Sequence, residues 1–345
     1  MKIDWWLVVP TLLLLFIGLV VLRSVAPSLV LYQGLFLIIA VIVFLIFSAT
    51  DFQIPFTLFL PSYLFSIIFL ILPSLFGLYT RGTLRWIQIG QFSLQPSEII
   101  KPFLLITFSV LAASEFRHKS LLLFASFIVP VLIIFLQPDL GTALIISVGW
   151  ITVLFSRLRL KHIFIGLLAL GIFVYPATHF FLKSYQKDRL LTYVDPYRDP
   201  LGQGYHVIQS LIAVGSGQFF GRGLGHGTQS QLRFLPEHHT DFIFASLSEE
   251  LGFVGSTIVI TLFAVLLWRI YRISHQTTHP AGSLFCLSVL AMLAFQIFVN
   301  IGMNMGIAPI TGITLPFLSY GGSSLLSLSI TLGLINSISG ANRRN

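Results

Sequence analysis

The sequence is short of charged residues and of cysteine. Only 9% of its 345 residues are charged, whereas 56% are hydrophobic; soluble proteins carry roughly 25% charged residues. This composition excludes a soluble globular domain. Cys286 is the single cysteine, so the chain cannot form an internal disulfide. The sequence also lacks a phosphate-binding glycine motif, a zinc-ligand spacing or a Ser/His/Asp arrangement that is specific enough to name a chemistry.

Apolar runs of the length that crosses a bilayer make up most of the chain. A membrane helix needs about 20 such residues, and lipid forces these runs to be helical because their backbones must satisfy their own hydrogen bonds. We therefore predict an all-α polytopic membrane protein, a single domain over residues 1–345 with an uncleaved first helix. The ten predicted spans are Trp5–Leu22, Ser28–Ser48, Ile54–Phe76, Pro96–Ala113, Leu121–Phe135, Leu140–Phe155, His162–Leu182, Phe242–Trp268, Ser283–Met303 and Gly321–Ile338.

Lysine and arginine are unequally divided between the two sets of short loops. The formal net charge is +8, but the basic residues are scattered between apolar runs, which indicates a role in topology and not nucleic-acid binding. The richer set includes both termini, which we therefore place in the cytoplasm. Residues 78–95 and the large loop 183–240 then face outward. The richer set is Lys2, Arg117, Lys119, Arg157, Arg159, Lys161, Arg269, Arg272, Arg343 and Arg344, and the poorer set is Arg23, Arg81 and Arg85.

The large outward loop has structure of its own in this interpretation. Tyr205–Gly217, "YHVIQSLIAVGSG", mixes apolar and polar positions in a pattern that predicts a short amphipathic helix in the membrane interface. The glycine-rich text "GRGLGHGTQS" follows, where the backbone is expected to turn tightly.

Ionisable residues lie within the fourth predicted span and at the outward hairpin between the fifth and sixth spans. Glu98 and Lys101 in "QPSEIIKPF" are three residues apart and so share a helix face. They form either an ion pair in a helix that begins at Pro96 or the charged wall of a polar cavity. Asp139 in "LQPDLGTA" either caps the helix that follows or belongs to the same polar region.

The densest polar cluster lies at the start of the eighth span, in "FLPEHHTDFIFASLSEELG". Asp241 stands where a helix dipole stabilises a carboxylate, and His239 and Thr240 precede it. Glu249 and Glu250 follow within the apolar run. Glu249 lies near the face of Asp241, since eight residues make about 2.2 helical turns. A polar cleft that opens outward explains this cluster better than a helix cap alone.

The last outward loop, "NIGMNMGIAPITGITLPFLSYGGSS", also combines polar side chains with helix-breaking residues. Asn300 and Asn304 are one turn apart at the end of the ninth span, and several glycines then predict an irregular backbone. Such backbone is tolerated near lipid only where it lines protein or water. The loop is therefore either a plain connection or part of the cleft.

Three functions remain open from the residues alone. The outward cleft could transfer groups on a lipid-linked substrate, act as one gate of a transporter, or be a docking surface for another membrane protein.

Four long motifs carry a resemblance to a known family. "RWIQIGQFSLQPSEIIKPFLL", "QPDLGTALI", "GQGYHVIQSLIAVGSGQFFGRGLGHGTQSQLRFLPEHHTDFIFASLSEELGFVG" and "NIGMNMGIAPITGITLPFLSYGGSSLL" resemble, in this order, the shape, elongation, division and sporulation (SEDS) family of bacteria. The resemblance covers nearly the whole chain, although the first three spans match only in character. The texts "GTQSQLRFLPEHHTDFIF" and "NIGMNMG" are similar to the elongation member of the family more than to the division member.

The resemblance implies a peptidoglycan glycosyltransferase in the bacterial cytoplasmic membrane. Such proteins polymerise lipid II, an undecaprenyl-pyrophosphate disaccharide-pentapeptide, into glycan strands on the outer face. The implied partner is a class B penicillin-binding protein, and the elongation member also belongs with MreC and MreD. A lipid II flippase is the main alternative, because it needs a cavity for the same ligand.

The resemblance also implies residue roles. Asp241 matches the family's catalytic Asp and would be the general base. Arg85, Lys101 or a divalent cation, Mg²⁺ or Mn²⁺, would neutralise the leaving pyrophosphate. The resemblance also makes Trp86, Glu98, Gln209 and Ser210 substrate or cavity positions. The polar cluster and the outward loops add further candidates for the same cavity, which are Asp139, His239, Thr240, Glu249, Glu250 and Ser319.

Overall fold

The computed structural model describes residues 2–80, 83–90, 92–116, 118–156, 192–193, 195, 202–232, 234–235 and 237–342. Most of these residues are helical, as the apolar runs predict. The helices are α1 Trp5–Val25, α2 Val30–Ala49, α3 Gln53–Thr57, α4 Phe59–Phe76, α5 Pro96–Ile99, α6 Lys101–Ala113, α7 Lys119–Leu136, α8 Leu140–Phe155, α9 Gln203–Ser216, α10 Thr228–Gln231, α11 Ile243–Gln276, α12 Pro280–Asn304 and α13 Gly322–Asn342.

Six helices of the described part are long and apolar enough to cross a membrane, and three shorter apolar helices accompany them. The prediction of an all-α polytopic membrane protein is thereby confirmed. The predicted span His162–Leu182 lies outside the described residues, so the number ten stays a prediction. The six long segments are Trp5–Val25, Pro27–Ala49, Phe59–Phe76, Ile243–Gln276, Pro280–Asn304 and Gly322–Ala341, and the shorter ones are Lys101–Ala113, Ser120–Leu136 and Leu140–Phe155.

Two predicted spans are interrupted. The third is divided between α3 and α4 at Leu58. The fourth is divided between α5 and α6 at Ile100, beside Pro102 at the start of α6. Proline has no backbone N–H to donate and its ring crowds the preceding turn, which explains why one apolar run becomes two helices here.

A small antiparallel sheet, which the sequence did not predict, occupies the connection between α4 and α5. Its strands are β1 Leu78–Thr80, β2 Thr83–Ile89 and β3 Phe92–Leu94, in the order β1-β2-β3. β2 contains Thr, Trp and Ile, which favour strands, and Gly90 turns the chain with a φ of 63°. The sheet leads directly into α5, so it fixes where the side chains of β2 lie.

The helix α11 is not continuous, because its backbone breaks at Gly252. Gly252 has φ 66° and ψ −161°, a region that only glycine adopts without strain. A Cβ atom there would lie 2.2 Å from the Gly221 backbone nitrogen. The loop around Gly221 therefore supplies partners to the backbone groups at the break. These bonds run from Phe253 N to Gln218 O at 2.9 Å, Val254 N to Phe219 O at 3.1 Å, Arg222 N to Glu249 O at 2.9 Å and Gly223 N to Glu250 O at 3.0 Å.

The contacts between α1 and α11 show where residues of α11 lie relative to the two ends of the bundle. At one end Arg269 Nη2 donates to Asp4 Oδ2 at 2.5 Å, and at the other Ser24 Oγ donates to Glu250 Oε1, so the two helices are antiparallel. The stretch from Glu250 to Arg269 rises about 29 Å, close to the roughly 30 Å hydrocarbon core of a bilayer. Glu250 therefore lies level with the end of α1 and not deep in the membrane.

Candidate functional site at the Val25 end of the bundle

Asp241 lies in a tight turn, Glu237–Phe242, that leads into α11. Thr240 N and Phe242 N both donate to Glu237 O, at 3.1 and 3.2 Å, and Glu237 has a φ of 51°. Asp241 is half-buried, whereas the first residues of α11 are fully buried. The turn contacts the last residue of α1, since His238 Nε2 is 3.2 Å from Val25 O. Asp241 is thus at the end of the bundle and not in its core.

Neighbouring elements hold the backbone of this turn at four consecutive carbonyl groups, from His238 to Asp241. The donors come from α11, α12 and the segment before α13. The bonds are Ser246 Oγ to His238 O at 3.2 Å, Tyr320 N to His239 O at 2.9 Å, Ser319 Oγ to Thr240 O at 2.6 Å, and Asn300 Nδ2 and Asn304 Nδ2 to Asp241 O at 2.9 and 3.1 Å. The position of Asp241 is therefore set by elements that are distant in sequence.

Asn300 and Asn304 are the side chains that hold Asp241 itself. Both are fully buried and lie one turn apart at the end of α12. Asn300 Nδ2 also donates to Ile313 O at 2.7 Å, and Asn304 Oδ1 accepts from Ala245 N at 3.0 Å. These two amides join α12, the first turn of α11 and the following loop around one carbonyl group. The sequence shows them as polar residues at the end of an apolar span, and this pattern alone does not identify them as site residues.

The irregular segment between α12 and α13 lies against the Asp241 carboxylate. A Cβ atom on Gly312, whose φ is 72°, would be 3.6 Å from Asp241 Oδ2. The same segment also packs on the start of α8, because a Cβ on Gly141 would be 3.3 Å from Thr311 O. Ser319 fixes the segment internally by accepting from Leu315 N at 2.8 Å. This loop is therefore a packed wall between α8 and Asp241.

Glu98 and Lys101 form the predicted ion pair at the α5–α6 interruption. Lys101 Nζ is 2.7 Å from Glu98 Oε2, with side-chain exposures of 1% and 12%. A buried lysine side chain is held in place by such a partner, since an unpaired buried charge is costly. The charge of Lys101 is thus paired with that of Glu98.

Asp139 caps α8 and also fixes the sheet. Its Oδ1 accepts from Thr142 N at 3.4 Å and lies 3.4 Å from Arg85 Nη1, while Oδ2 accepts from Gln95 Nε2 at 2.7 Å and Ser97 Oγ at 3.0 Å. The capping interpretation is therefore confirmed, and the carboxylate additionally holds Arg85 of β2. The Arg85 side chain is 28% exposed.

Glu249 and Glu250 do not line an open cleft, which corrects the sequence interpretation. They are 0% and 1% exposed. Glu249 caps α10: its carboxylate accepts from Gln229 N at 2.9 Å and from Ser230 N and Ser230 Oγ at 3.1 and 2.7 Å. Glu250 accepts from Gly225 N at 3.1 Å as well as from Ser24. Both acids fasten the glycine-rich loop to α11, because buried backbone amides need acceptors.

The predicted helix in the large loop is present as α9, which packs on α11 and α12. Ser210 is fully buried and its Oγ donates to Asn304 O at 2.9 Å, so it belongs to the support of Asp241. Gln209 is half-buried on the same helix. Trp86 is half-buried in β2, opposite Leu78 of β1, and the contacts of the described residues do not bring it to Asp241.

His239 and Thr240 precede Asp241 in the turn, and both are half-buried. Thr240 Oγ1 donates to Glu237 Oε2 at 3.0 Å, and the His239 ring lies 5.9 Å from the ring of Tyr320. Burial, and secondarily the nearby Tyr32, raises the pKa of Tyr320 above its ordinary value. Tyr320 is therefore a neutral phenol beside the site at neutral pH.

The described residues do not form a metal centre by themselves. Within them no group of three or more His, Cys, Asp or Glu side chains could hold an ion. A Mg²⁺ or Mn²⁺ ion needs six or so oxygen ligands, so here it would take most of them from substrate and water.

Comparison with known proteins gives consistent matches along the chain. A family model described as "Cell cycle protein", with the names FtsW, RodA and SpoVE, matches residues 5–344. Stage V sporulation protein E of Bacillus subtilis is 39% identical over 97% of this chain and 96% of that protein. The peptidoglycan glycosyltransferase MrdB of Escherichia coli K12 is 40% identical over 80% of this chain and 76% of that protein.

Solved structures are also similar over their full length, and one of them has a TM-score of 0.85. It comes from work on the structural coordination of polymerization and crosslinking by a peptidoglycan synthase complex. Its chain is 33% identical, with a TM-score of 0.85 and 100% coverage of both chains.

Proposed function

We propose that this protein is a peptidoglycan glycosyltransferase, since the chain belongs to the FtsW, RodA and SpoVE family of cell cycle proteins. Its substrate is lipid II, which it joins into glycan strands. One support is the relative MrdB, which is named for this activity and is 40% identical. The other is the position of Asp241 at the end of a bundle of membrane helices. A lipid-linked sugar has its tail in the membrane and its reacting atoms at the surface, where Asp241 lies.

The observation that carries the proposal is the fixed position of Asp241. Four successive carbonyls of its turn are bonded to three other parts of the fold. A group that acts on a reacting atom gains most when its geometry is set in advance, because an error of about 1 Å can cost 100-fold in rate. A half-buried carboxylate on a backbone that is held in this way suits a general base.

Asp241 takes the proton from the 4-hydroxyl of the incoming sugar. The oxygen of that hydroxyl attacks C1 of the growing strand, and the bond from C1 to the undecaprenyl pyrophosphate breaks with inversion at C1. The leaving pyrophosphate keeps the bonding electrons, so it needs neutralisation of its charge more than a proton. Arg85 fits this role better than Lys101, because Arg85 is partly exposed while Lys101 is buried against Glu98.

The site faces the outside of the cytoplasmic membrane in this proposal. The support is the excess of basic residues in the loops on the opposite side, which marks the cytoplasmic face of membrane proteins.

The partner is a class B penicillin-binding protein, which cross-links the strands. The similar chain from work on a peptidoglycan synthase complex supports this partner. The sequence motifs around Asp241 and Asn304 resemble those of the elongation member of the family. They favour a role in cell elongation, with MreC and MreD, over one in division or sporulation.

The test is polymerisation of purified lipid II by the protein with its penicillin-binding partner. The Asp241→Asn variant, which keeps the shape of the side chain and removes the base, is expected to fold and to lose strand formation. Asp51→Asn is the matched control, because Asp51 is an exposed acid in the α2–α3 connection. Strands from a well-folded Asp241→Asn variant would refute the base assignment. Failure of the wild type with bound partner and intact lipid II would favour a flippase.

A further inference from the structure

Two tryptophans are exposed side by side at the end of the bundle opposite Asp241. Trp6 of α1 and Trp268 of α11 are 62% and 48% exposed, and their rings meet edge to face with centroids 6.1 Å apart. Each indole has one N–H to donate, and neither donates it to a residue of the described part of the chain. The pair therefore offers an apolar surface with two polar edges, which suits the boundary between lipid tails and water.

Arg272 shares the helix face of Trp268, because the two residues are four apart in α11. Its guanidinium carbon lies over the Trp268 ring, 5.4 Å from the centroid, and the residue is exposed. The attraction between a cation and a ring face holds the guanidinium in place. A guanidinium held in this way still has five N–H donors, so it remains able to bind an acceptor group.

The positive charge of Arg272 is not matched by an acid of the described residues. Asp4, the acid at this end of α1, is 1% exposed and is paired with Arg269, with Asp4 Oδ2 2.5 Å from Arg269 Nη2. The ion pairs found among the described side chains do not include Arg272. Arg272 thus brings an unmatched charge and several donors to the tryptophan pair, and a ligand that complements them is an anion with acceptor oxygens.

The depth of Arg272 indicates where such an anion comes from. Glu250 and Arg269 are separated by about the thickness of the hydrocarbon core, so Arg269 marks the edge of that core. Arg272 follows three residues later, about 4.5 Å further along the helix. This position falls within the headgroup layer, which is about 5–7 Å thick on each side of the bilayer. The phosphate groups of phospholipids lie in this layer.

We propose that Trp6, Trp268 and Arg272 form a binding site for the headgroup of an anionic phospholipid. The guanidinium pairs with the phosphate oxygens, and the indole N–H groups donate to phosphate or ester oxygens. The exposed Val9 and Leu13, one and two turns along α1 from Trp6, continue the surface for the acyl chains. A zwitterionic lipid carries its own cation beside the phosphate, so it gains less from Arg272. The site does not depend on the proposed activity, and in the proposed orientation it lies in the leaflet that faces the cytoplasm.

The first test measures lipid binding to the purified full-length protein. Native mass spectrometry gives the apparent Kd of phosphatidylglycerol and of phosphatidylcholine with identical acyl chains. The wild type should bind phosphatidylglycerol more tightly. Arg272→Gln should weaken that binding about fivefold, the contribution of one basic residue near an anionic membrane surface, and leave phosphatidylcholine unaffected. Equal affinities of the wild type for the two lipids would mean that lipid tails or a protein partner cover this face regardless of charge, and would overturn the proposal.

Trp268→Leu tests whether the tryptophan belongs to the site, and it provides a second variant if Arg272→Gln does not fold. Leucine keeps an apolar side chain and removes both the indole N–H and the ring face that holds the guanidinium. The affinity for phosphatidylglycerol should therefore fall in this variant as well, with thermal unfolding close to that of the wild type. A folded Trp268→Leu protein with the wild-type affinity would refute the site.

Arg23→Gln is the matched control. Arg23 is an exposed arginine in the last turn of α1, at the other end of the bundle, and none of the described aromatic rings lies beneath its guanidinium. Its replacement should leave the affinity for phosphatidylglycerol unchanged. A loss as large as that of Arg272→Gln would show that any exposed arginine gives the effect, and the proposal would fail.

Discussion

Asn304→Asp is the substitution that tests most directly whether the fold positions Asp241. The aspartate has the shape of asparagine and keeps an oxygen for Ala245 N, which now donates to Asn304 Oδ1 at 3.0 Å. It removes the amino group that donates to Asp241 O at 3.1 Å and to Asn300 O at 2.8 Å. These two carbonyls then face a carboxyl group in place of a double donor.

The magnitude follows from these bonds. Two hydrogen bonds are lost, and each contributes about 1 kcal/mol net to stability. Asp241 O keeps its bond from Asn300 Nδ2 at 2.9 Å, so it is not left without a partner. We therefore expect the free energy of unfolding to fall by about 2 kcal/mol. Polymerisation should fall more steeply, by about 100-fold, because a displaced catalytic group is costly even when the fold survives.

The assay measures thermal unfolding and lipid II polymerisation on the same preparation. Gln296→Met is the matched control, because Gln296 is a buried residue of the same helix whose Oε1 has no hydrogen-bond partner among the described residues. It should change neither quantity appreciably. An Asn304→Asp protein that is destabilised but polymerises at the wild-type rate per folded molecule would refute the positioning role of Asn304.

Two further substitutions test the scaffold. Arg269→Met leaves the Asp4 carboxylate buried without its guanidinium partner, which lies 2.5 Å away, and should lower the free energy of unfolding by about 3–5 kcal/mol. In thermal unfolding, the Asp4→Asn/Arg269→Met double variant should recover stability because no unpaired charge remains. A double variant as unstable as the single one would contradict this expectation. Gly252→Ala should lower the free energy of unfolding by about 1–3 kcal/mol through its backbone conformation alone, and the clash with Gly221 adds to this loss. The yield of folded protein measures the effect. Gly34→Ala is the control, because nothing lies within 4 Å of a Cβ atom there, and equal yields of the two variants would refute the non-helical conformation at Gly252.

Local rules were enough to predict part of the fold and of the site from the sequence. Apolar runs in lipid can only be helices, and the described spans follow them. The spacing of Glu98 and Lys101 places the pair on one face, and they bond at 2.7 Å. Asp139 precedes a helix with Thr142 in its first turn, and it caps that helix. Each of these features depends on residues within one or two turns of each other.

The features that were missed depend on long-range partners. Glu249 and Glu250 accept hydrogen bonds from loop residues 19 to 25 positions upstream, and no periodicity reveals such a partner. Gly252 in an apolar run predicts either a tolerated glycine or a break. Only the approach of Gly221 decides between these outcomes. The strands between α4 and α5 are short, and their pairing with each other was not visible in hydrophobicity alone.

Three acids of the polar cluster at the start of the eighth predicted span, Asp241, Glu249 and Glu250, divide into two physical roles. Polar groups near lipid are costly and persist where they satisfy a need. Glu249 and Glu250 are fully buried, and their hydrogen bonds go to loop groups near the break in α11. Asp241 is half-buried, and its neighbours grip its backbone carbonyl. The buried acids thus fasten the glycine-rich loop to α11, whereas Asp241 stays partly accessible at the end of the bundle, where a lipid-linked sugar would arrive in the proposed function. Removing Glu249 or Glu250 should therefore lower the yield of folded protein, whereas Asp241→Asn should impair activity alone.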